Sequence, residues 1–206
     1  MTRKEEIVLA TLDLAAEYGL RSVSLSQIAE RVGIRKPSLY NHFASRDEIV
    51  QEAYRYLRAQ ARERSMSSGA DLPASFYDMP LKEVLLASFD RYRSFVLDKD
   101  LIRFWRVLYA ERTTSAVAAQ IMVEETERMI SQVKGLFYAL VAHGKIQCDD
   151  VDMAALSFAM AVHSLVDYQM DRIVAHGLTS ADTSDGFDDV KDYIAWFARQ
   201  MEVEHA

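Results

Sequence analysis

Leu25-Ser26-Gln27-Ile28-Ala29-Glu30-Arg31-Val32-Gly33-Ile34-Arg35-Lys36-Pro37-Ser38-Leu39-Tyr40-Asn41-His42-Phe43 is the stretch that decides the fold. Its apolar positions, Ile28, Val32, Ile34 and Leu39, are spaced to turn one face of each of two short helices toward a preceding helix. Ala29 is small where the two helices would cross. Gly33 falls at the turn, where a positive φ costs glycine least. Pro37 is tolerated because it falls in the first turn of the second helix. Together these constraints predict a helix-turn-helix whose second helix enters a major groove. An ordinary helical hairpin would also use a small residue and a glycine turn, so the exposed chemistry separates the two readings. Lys36, Ser38, Tyr40, Asn41 and His42 crowd the second helix with donors, and Arg46 opens the next helix. DNA phosphates attract such cations and donors, and helix N-termini as well.

Working outward, the helix starts are well marked. Thr2-Arg3-Lys4-Glu5 has capping-box spacing, and Ile7, Thr11, Leu14 and Tyr18 follow at helical intervals up to a stop at Gly19. Ser24-Leu25-Ser26-Gln27 is a second box, with Val23 and Ile28 at the positions of a hydrophobic staple. Ser45-Arg46-Asp47-Glu48 is a third, starting a helix through Ile49, Ala53, Tyr54, Tyr56 and Leu57. From Ser65 to Pro80 the Ser, Gly and Pro content predicts a linker. Beyond Pro80 there is no proline, and the composition suits long helices near 81–97, 100–111, 114–142, 149–176 and 185–203. No run alternates Val, Ile or Thr as a strand would. The expected fold is all-α: a three-helix helix-turn-helix domain over 1–62, and a larger helical bundle over 63–206.

Composition narrows the function classes. The 206 residues are half apolar and carry a net charge of −7, which excludes collagen-like and largely disordered chains. Residues 1–46 hold seven Lys and Arg against five acids, a net of +2, leaving −9 for the remainder. That asymmetry fits a DNA-binding head on an acidic body. The N-terminus, with Arg3, Lys4, Glu5 and Glu6, does not read as a signal peptide. The longest uncharged apolar stretch, Met153 to Val166, is short of the roughly 20 residues a membrane span needs. The lone Cys148 forms no internal disulfide, and a reducing cytoplasm is the expected compartment. No glycine-rich phosphate loop is present, and His42, His143, His163, His176 and His205 show no metal-ligand spacing. Cys148 stands beside Asp149 and Asp150, whose charge disfavours a nucleophilic thiolate. Neither enzyme, metal nor cofactor is expected.

Ile28-Ala29, Val32-Gly33-Ile34, Lys36-Pro37-Ser38-Leu39-Tyr40-Asn41-His42-Phe43 and Ser45-Arg46-Asp47-Glu48 together resemble the tetracycline-repressor (TetR) family of one-component regulators. The resemblance covers about residues 7–55. It implies a symmetric dimer, a helical ligand-receiving body, and release from a palindromic operator when a small-molecule effector binds, most often as a repressor. One position departs from the family pattern: a Ser or Thr usually precedes Lys36 and caps the recognition helix, and Arg35 stands there instead. Arginine offers no acceptor, so the cap bond is lost at about 1 kcal/mol. Its guanidinium would then either reach a guanine edge or a phosphate, or stand solvated as a tolerated substitution. The family's Lys at the start of the fourth helix is replaced by Arg46, which keeps a phosphate-binding charge. The candidate DNA-binding set is Ser24, Ser26, Gln27, Arg35, Lys36, Pro37, Ser38, Tyr40, Asn41, His42 and Arg46, with Tyr40 and Arg46 on phosphates.

In the body, Phe187, Val190, Ile194, Phe197 and Met201 form a narrow seam on the last helix. The preceding helix carries two apolar sets and needs partners on both sides; either one of them is a second chain, or the helix is the fully buried centre of a monomer. Val151, Ala155, Val162 and Leu165 with the last-helix seam are the expected dimer interface. Phe104, Trp105, Tyr109, Met129, Phe137 and Phe158 are candidates for the wall of a ligand pocket, with His163 and Asp167, one turn apart, as its polar anchor. Arg103 and Arg106 flank two of these aromatics and would suit an acidic ligand. The other function class in play is a helical protein-interaction adaptor that keeps the motif only as structure.

Overall fold

The computed structural model of the protein describes residues 1–68, 78–98, 101–176 and 186–201, without the side chains of 61, 64–68, 103 and 104. The described residues contain nine α-helices and no strand: α1 (Arg3–Tyr18), α2 (Leu25–Val32), α3 (Lys36–Leu39), α4 (Arg46–Ser68), α5 (Leu81–Val96), α6 (Leu101–Glu111), α7 (Ala116–Ala142), α8 (Val151–His176) and α9 (Asp188–Met201). α4 runs to Ser68, so the first residues of the expected linker are helical; 69–77 lie outside the description.

Local chemistry accounts for the helix ends. Thr2 and Glu5 close a full capping box at α1, and Gly19 stops that helix at φ 78°, its N–H donating to the Ala15 carbonyl. Ser24 and Gln27 close a second box at α2, and Gly33 ends α2 in the left-handed region at φ 73°, ψ 32°. A side chain there would be strained, which is why the turn carries glycine. At α4 only half of the expected box forms. Ser45 Oγ accepts from the Glu48 N–H at 3.1 Å, but the Glu48 carboxylate reaches past Ser45 to the Ala44 N–H. Thr11, buried inside α1, satisfies its hydroxyl by donating to the Ile7 carbonyl at 2.8 Å.

The described chain divides into two compact units. The first comprises Met1–Ser68 and Phe95–Glu125, so that α6 and the start of α7 belong with the helix-turn-helix. Its core joins Ile7, Leu12, Leu14, Leu20, Ile28, Leu39, Phe43, Ile49 and Leu57 to Val107, Leu108, Ala118 and Ile121. Polar links reinforce this packing. The Tyr54 hydroxyl donates to Ser115 Oγ at 3.4 Å, and Glu124 Oε2 lies 3.2 Å from Arg58 Nε and 3.7 Å from Arg62 Nη2. Burial pushes the Tyr54 phenol above its ordinary pKa, while the Ser115 hydrogen bond pulls it down.

The second unit takes the described parts of Gly69–Ser94 and Thr126–Ala206. Its interior is aromatic. Phe158 sits 4.9 Å from Phe197, 5.5 Å from Phe137 and 6.0 Å from Tyr193, ring centre to ring centre, and Phe89 sits 5.9 Å from Phe187. These tilted arrangements are the ones aromatic quadrupoles favour. The Gln147 N–H reaches the Met201 carbonyl at 3.4 Å, tying the end of α9 to the turn before α8.

Candidate nucleic-acid interface

The helix-turn-helix is built by burying one side of each short helix. Ile28 and Ala29 of α2 and Leu39 of α3 are almost completely buried, and Phe43 closes the turn after α3. α3 is a single regular turn. The chain then tightens: Tyr40, Asn41 and His42 donate to the carbonyls of Pro37, Ser38 and Leu39, three residues back. With Leu39 and Phe43 anchored inside, Arg35, Lys36, Pro37, Tyr40 and Asn41 are exposed, and Ser38 and His42 are half-buried. The result is a short, rigid platform with a row of donors on its outer side. Arg35 occupies the N-cap of α3 in extended conformation (φ −78°, ψ 141°) and makes no side-chain cap bond, as its chemistry requires.

Other candidates in the head have work within the fold. Ser24 Oγ accepts from the Gln27 N–H at 3.3 Å, and Gln27 Oε1 accepts from both the Ser24 N–H and hydroxyl at 2.8 Å. Ser26 is exposed on the first turn of α2. Arg46 is half-buried, its Nε donating to the Val23 carbonyl at 3.0 Å and its Nη2 to the Leu20 carbonyl. Two of its five donors are therefore engaged by the chain itself, an arrangement that motif spacing does not reveal. Sequence reasoning also missed Lys4. Its ammonium lies 5.3 Å over the Phe43 ring, which brings a cation of α1 beside the turn that follows α3. That contact joins residues far apart in the chain, so no local pattern announces it.

The body candidates are distributed between the two units. Trp105 and Tyr109 belong to the first: Trp105 stands edge-on to Phe95 at 5.9 Å, and Arg112 stacks 4.6 Å over Tyr109. The side chains of Phe104 and Arg103 lie outside the described residues, and Arg106 is exposed. Met129, Phe137, Phe158, His163 and Asp167 belong to the second unit. There Phe137 and Phe158 are packed into the aromatic interior, 1% and 4% exposed. His163 and Asp167 do come together, with Nε2 and Oδ2 3.7 Å apart, and the structure adds Tyr92, whose hydroxyl shares a 2.7 Å hydrogen bond with His163 Nδ1. Among the described residues no cluster of three or more metal-ligating side chains is present.

The residues of the expected dimer seam are largely enclosed by the chain itself. Ala155, Val162, Phe187, Val190, Ile194 and Phe197 are all buried within the chain's own second unit, and Val151, Leu165 and Met201 are half-buried. The exposed apolar side chains of α8 are Met153, Met160, Tyr168 and Val174, and that of α9 is Trp196. Met153, Met160 and Tyr168 follow one another at intervals of about two helical turns, on the side of α8 opposite Ala155, Phe158 and Val162.

Two stretches of the chain match known families. The profile of bacterial regulatory proteins of the tetR family matches residues 7–53, and the profile of the AefR-like transcriptional repressor C-terminal domain matches residues 83–197. The chain belongs to the TetR family. It is a DNA-binding transcriptional regulator, as that membership entails. Among this TetR-family chain's relatives is the HTH-type transcriptional regulator BetI of Escherichia coli, 19% identical over 86% of this chain and 90% of its own. A TetR-family regulator from Mesorhizobium loti has the same fold, with TM-score 0.67 and 18% identity over 98% of this chain and all of that one. So does a transcriptional regulator from Saccharomonospora viridis solved in complex with choline, with TM-score 0.68 and 16% identity over 98% of both chains. No described helix is long and apolar enough to cross a membrane.

Proposed function

We propose that this TetR-family regulator is a cytoplasmic repressor that binds a palindromic operator as a homodimer and leaves it when a small-molecule effector binds. In this reading residues 1–62 carry the DNA-reading surface, and residues 63–206 carry the effector site and the dimer contact. The observation that carries the reading is the exposed row Arg35, Lys36, Pro37, Tyr40 and Asn41, with Ser38 half-buried beside them, on a helix whose inner side is locked by Leu39 and Phe43. A recognition helix must offer donors on a rigid frame, since phosphate contacts position it and base contacts specify sequence. The apolar stripe Met153, Met160 and Tyr168 on α8, with Trp196 on α9, supports a contact between two copies.

Selection from a random duplex pool with the full chain should yield one palindrome, bound by two chains, with half-sites about 34–36 Å apart. Asn41→Ala should then relax specificity at one base pair per half-site, by about 1–3 kcal/mol. Equal weakening on every sequence would make Asn41 a positioning contact instead. A pool that returns no preferred duplex would refute the regulator reading at its base.

For the effector, the polar group formed by His163, Asp167 and Tyr92 supports a ligand anchored on donors and acceptors. Release demands reciprocity: if effector weakens operator binding, operator must weaken effector binding by the same factor, about 1–3 kcal/mol for a typical coupling. Calorimetric titration of a co-purifying ligand, with and without operator, reads this directly. Equal affinities would leave a dimer whose body serves assembly alone.

A further inference from the structure

We propose that Arg46 is a positioning residue for DNA reading, which holds the start of α2 against the start of α4 and is not a phosphate anchor. The inference deepens the DNA-binding reading above and rests on it. Arg46 is the first residue of α4, and its half-buried guanidinium donates through Nε to the Val23 carbonyl at 3.0 Å and through Nη2 to the Leu20 carbonyl. Both acceptors lie in the short connection between α1 and α2. Val23 immediately precedes the Ser24 cap of α2, and both Leu20 and Val23 are core residues of the first unit. One planar fork therefore links the residue that launches α2 to the residue that launches α4.

The chemistry explains why arginine is suited to this place. A cation at a helix N-terminus opposes the helix dipole. Here two carbonyl oxygens supply the compensating negative ends, and Asp47 and Glu48 follow in the same first turn. Nε and Nη2 spread along one edge of a rigid plane, so two fixed acceptors can be met at once. A lysine ammonium is a point charge on a flexible stem and cannot hold that geometry. The consequence for function follows from where α3 sits. α3 packs against α2 and over the core beneath Leu39, and the connection that starts α2 is the one Arg46 holds. A small rotation of α3 moves donors off base edges while leaving the net charge of the head unchanged.

Phosphate anchoring and positioning differ in measurable ways. The test uses the full chain, the duplex it selects from a random pool, and a scrambled duplex of equal length. Arg46→Ala and Arg46→Lys should each lose about tenfold or more in affinity for the selected duplex, keep scrambled-duplex affinity within about twofold, and retain the wild-type salt slope. A slope reduced by about 0.9 in Arg46→Ala, weakened binding to both duplexes and restoration by Arg46→Lys would overturn the proposal in favour of a phosphate contact. Wild-type affinity in both variants, measured where circular dichroism shows them folded, would overturn it in favour of a purely structural role. Should the variants not fold, the wild-type protein still decides: its Arg46 Nε–H proton resonance should exchange slowly with water and stay in place when the selected duplex is added. Fast exchange, or a large displacement of that resonance by DNA, would refute the assignment. Failure of the wild-type chain to select any duplex would overturn the regulator reading, and with it this one; slow exchange at Nε–H in that case would leave Arg46 a structural clamp only.

Discussion

Leu108→Ala is expected to lower the unfolding free energy by about 2–5 kcal/mol and to weaken DNA binding with it, although Leu108 lies far from the helix-turn-helix in sequence. Leu108 is fully buried in α6, in the same cluster that holds Ile7, Ile28 and Leu39. Truncation removes its own transfer free energy and leaves a cavity beneath the head. Globular domains are stable by only about 5–15 kcal/mol, so a loss of this size takes a large share. For the same reason a fragment ending at residue 62 is expected to lose its fold, because it lacks Val107, Leu108, Ala118 and Ile121. Urea titration and operator binding on the variant, and circular dichroism on the fragment, check this. An unchanged urea midpoint in Leu108→Ala together with a folded fragment would mean that the head is self-sufficient.

Phe158→Ala is expected to cost about 3–5 kcal/mol in the ligand-free protein. Its ring lies within 6.0 Å of three others, Phe137, Phe197 and Tyr193, and only 4% of it is exposed. The size of the loss distinguishes two roles. In a packed interior the missing ring leaves a void with no compensating solvent contact, whereas at the wall of an open ligand site water already touches the ring and the cost falls. Thermal unfolding without ligand measures the difference. A loss under about 1 kcal/mol would return Phe158 to the pocket wall.

The neighbouring titratable group reports the same interior. Burial pushes the Tyr193 phenol above its ordinary pKa, as expected beside these rings.

The helix-turn-helix was legible in the sequence because its determinants are local. Capping boxes at Thr2 and Ser24, the glycines at 19 and 33 and the proline at 37 each act within a few residues, so their meaning survives without tertiary context. The long helices after Pro80 were legible for the same reason. Their apolar periods also showed that two sides of α8 needed cover, but not which side the chain's own helices would take. Ala155 and Val162 are buried within their own unit, whereas Met153 and Met160 are exposed. Periodicity measures direction around a helix axis and carries no information about what lies in that direction. The same limit hid the two carbonyls of the α1–α2 connection from any reading of Arg46. It also hid Tyr92 from His163, a pair separated by 71 positions. The amino-acid order determined where helices start, stop and turn one side inward, through bonds a few residues long. Only the tertiary structure decided which cations face outward and which apolar surfaces remain uncovered, because both depend on residues distant in sequence competing for the same space.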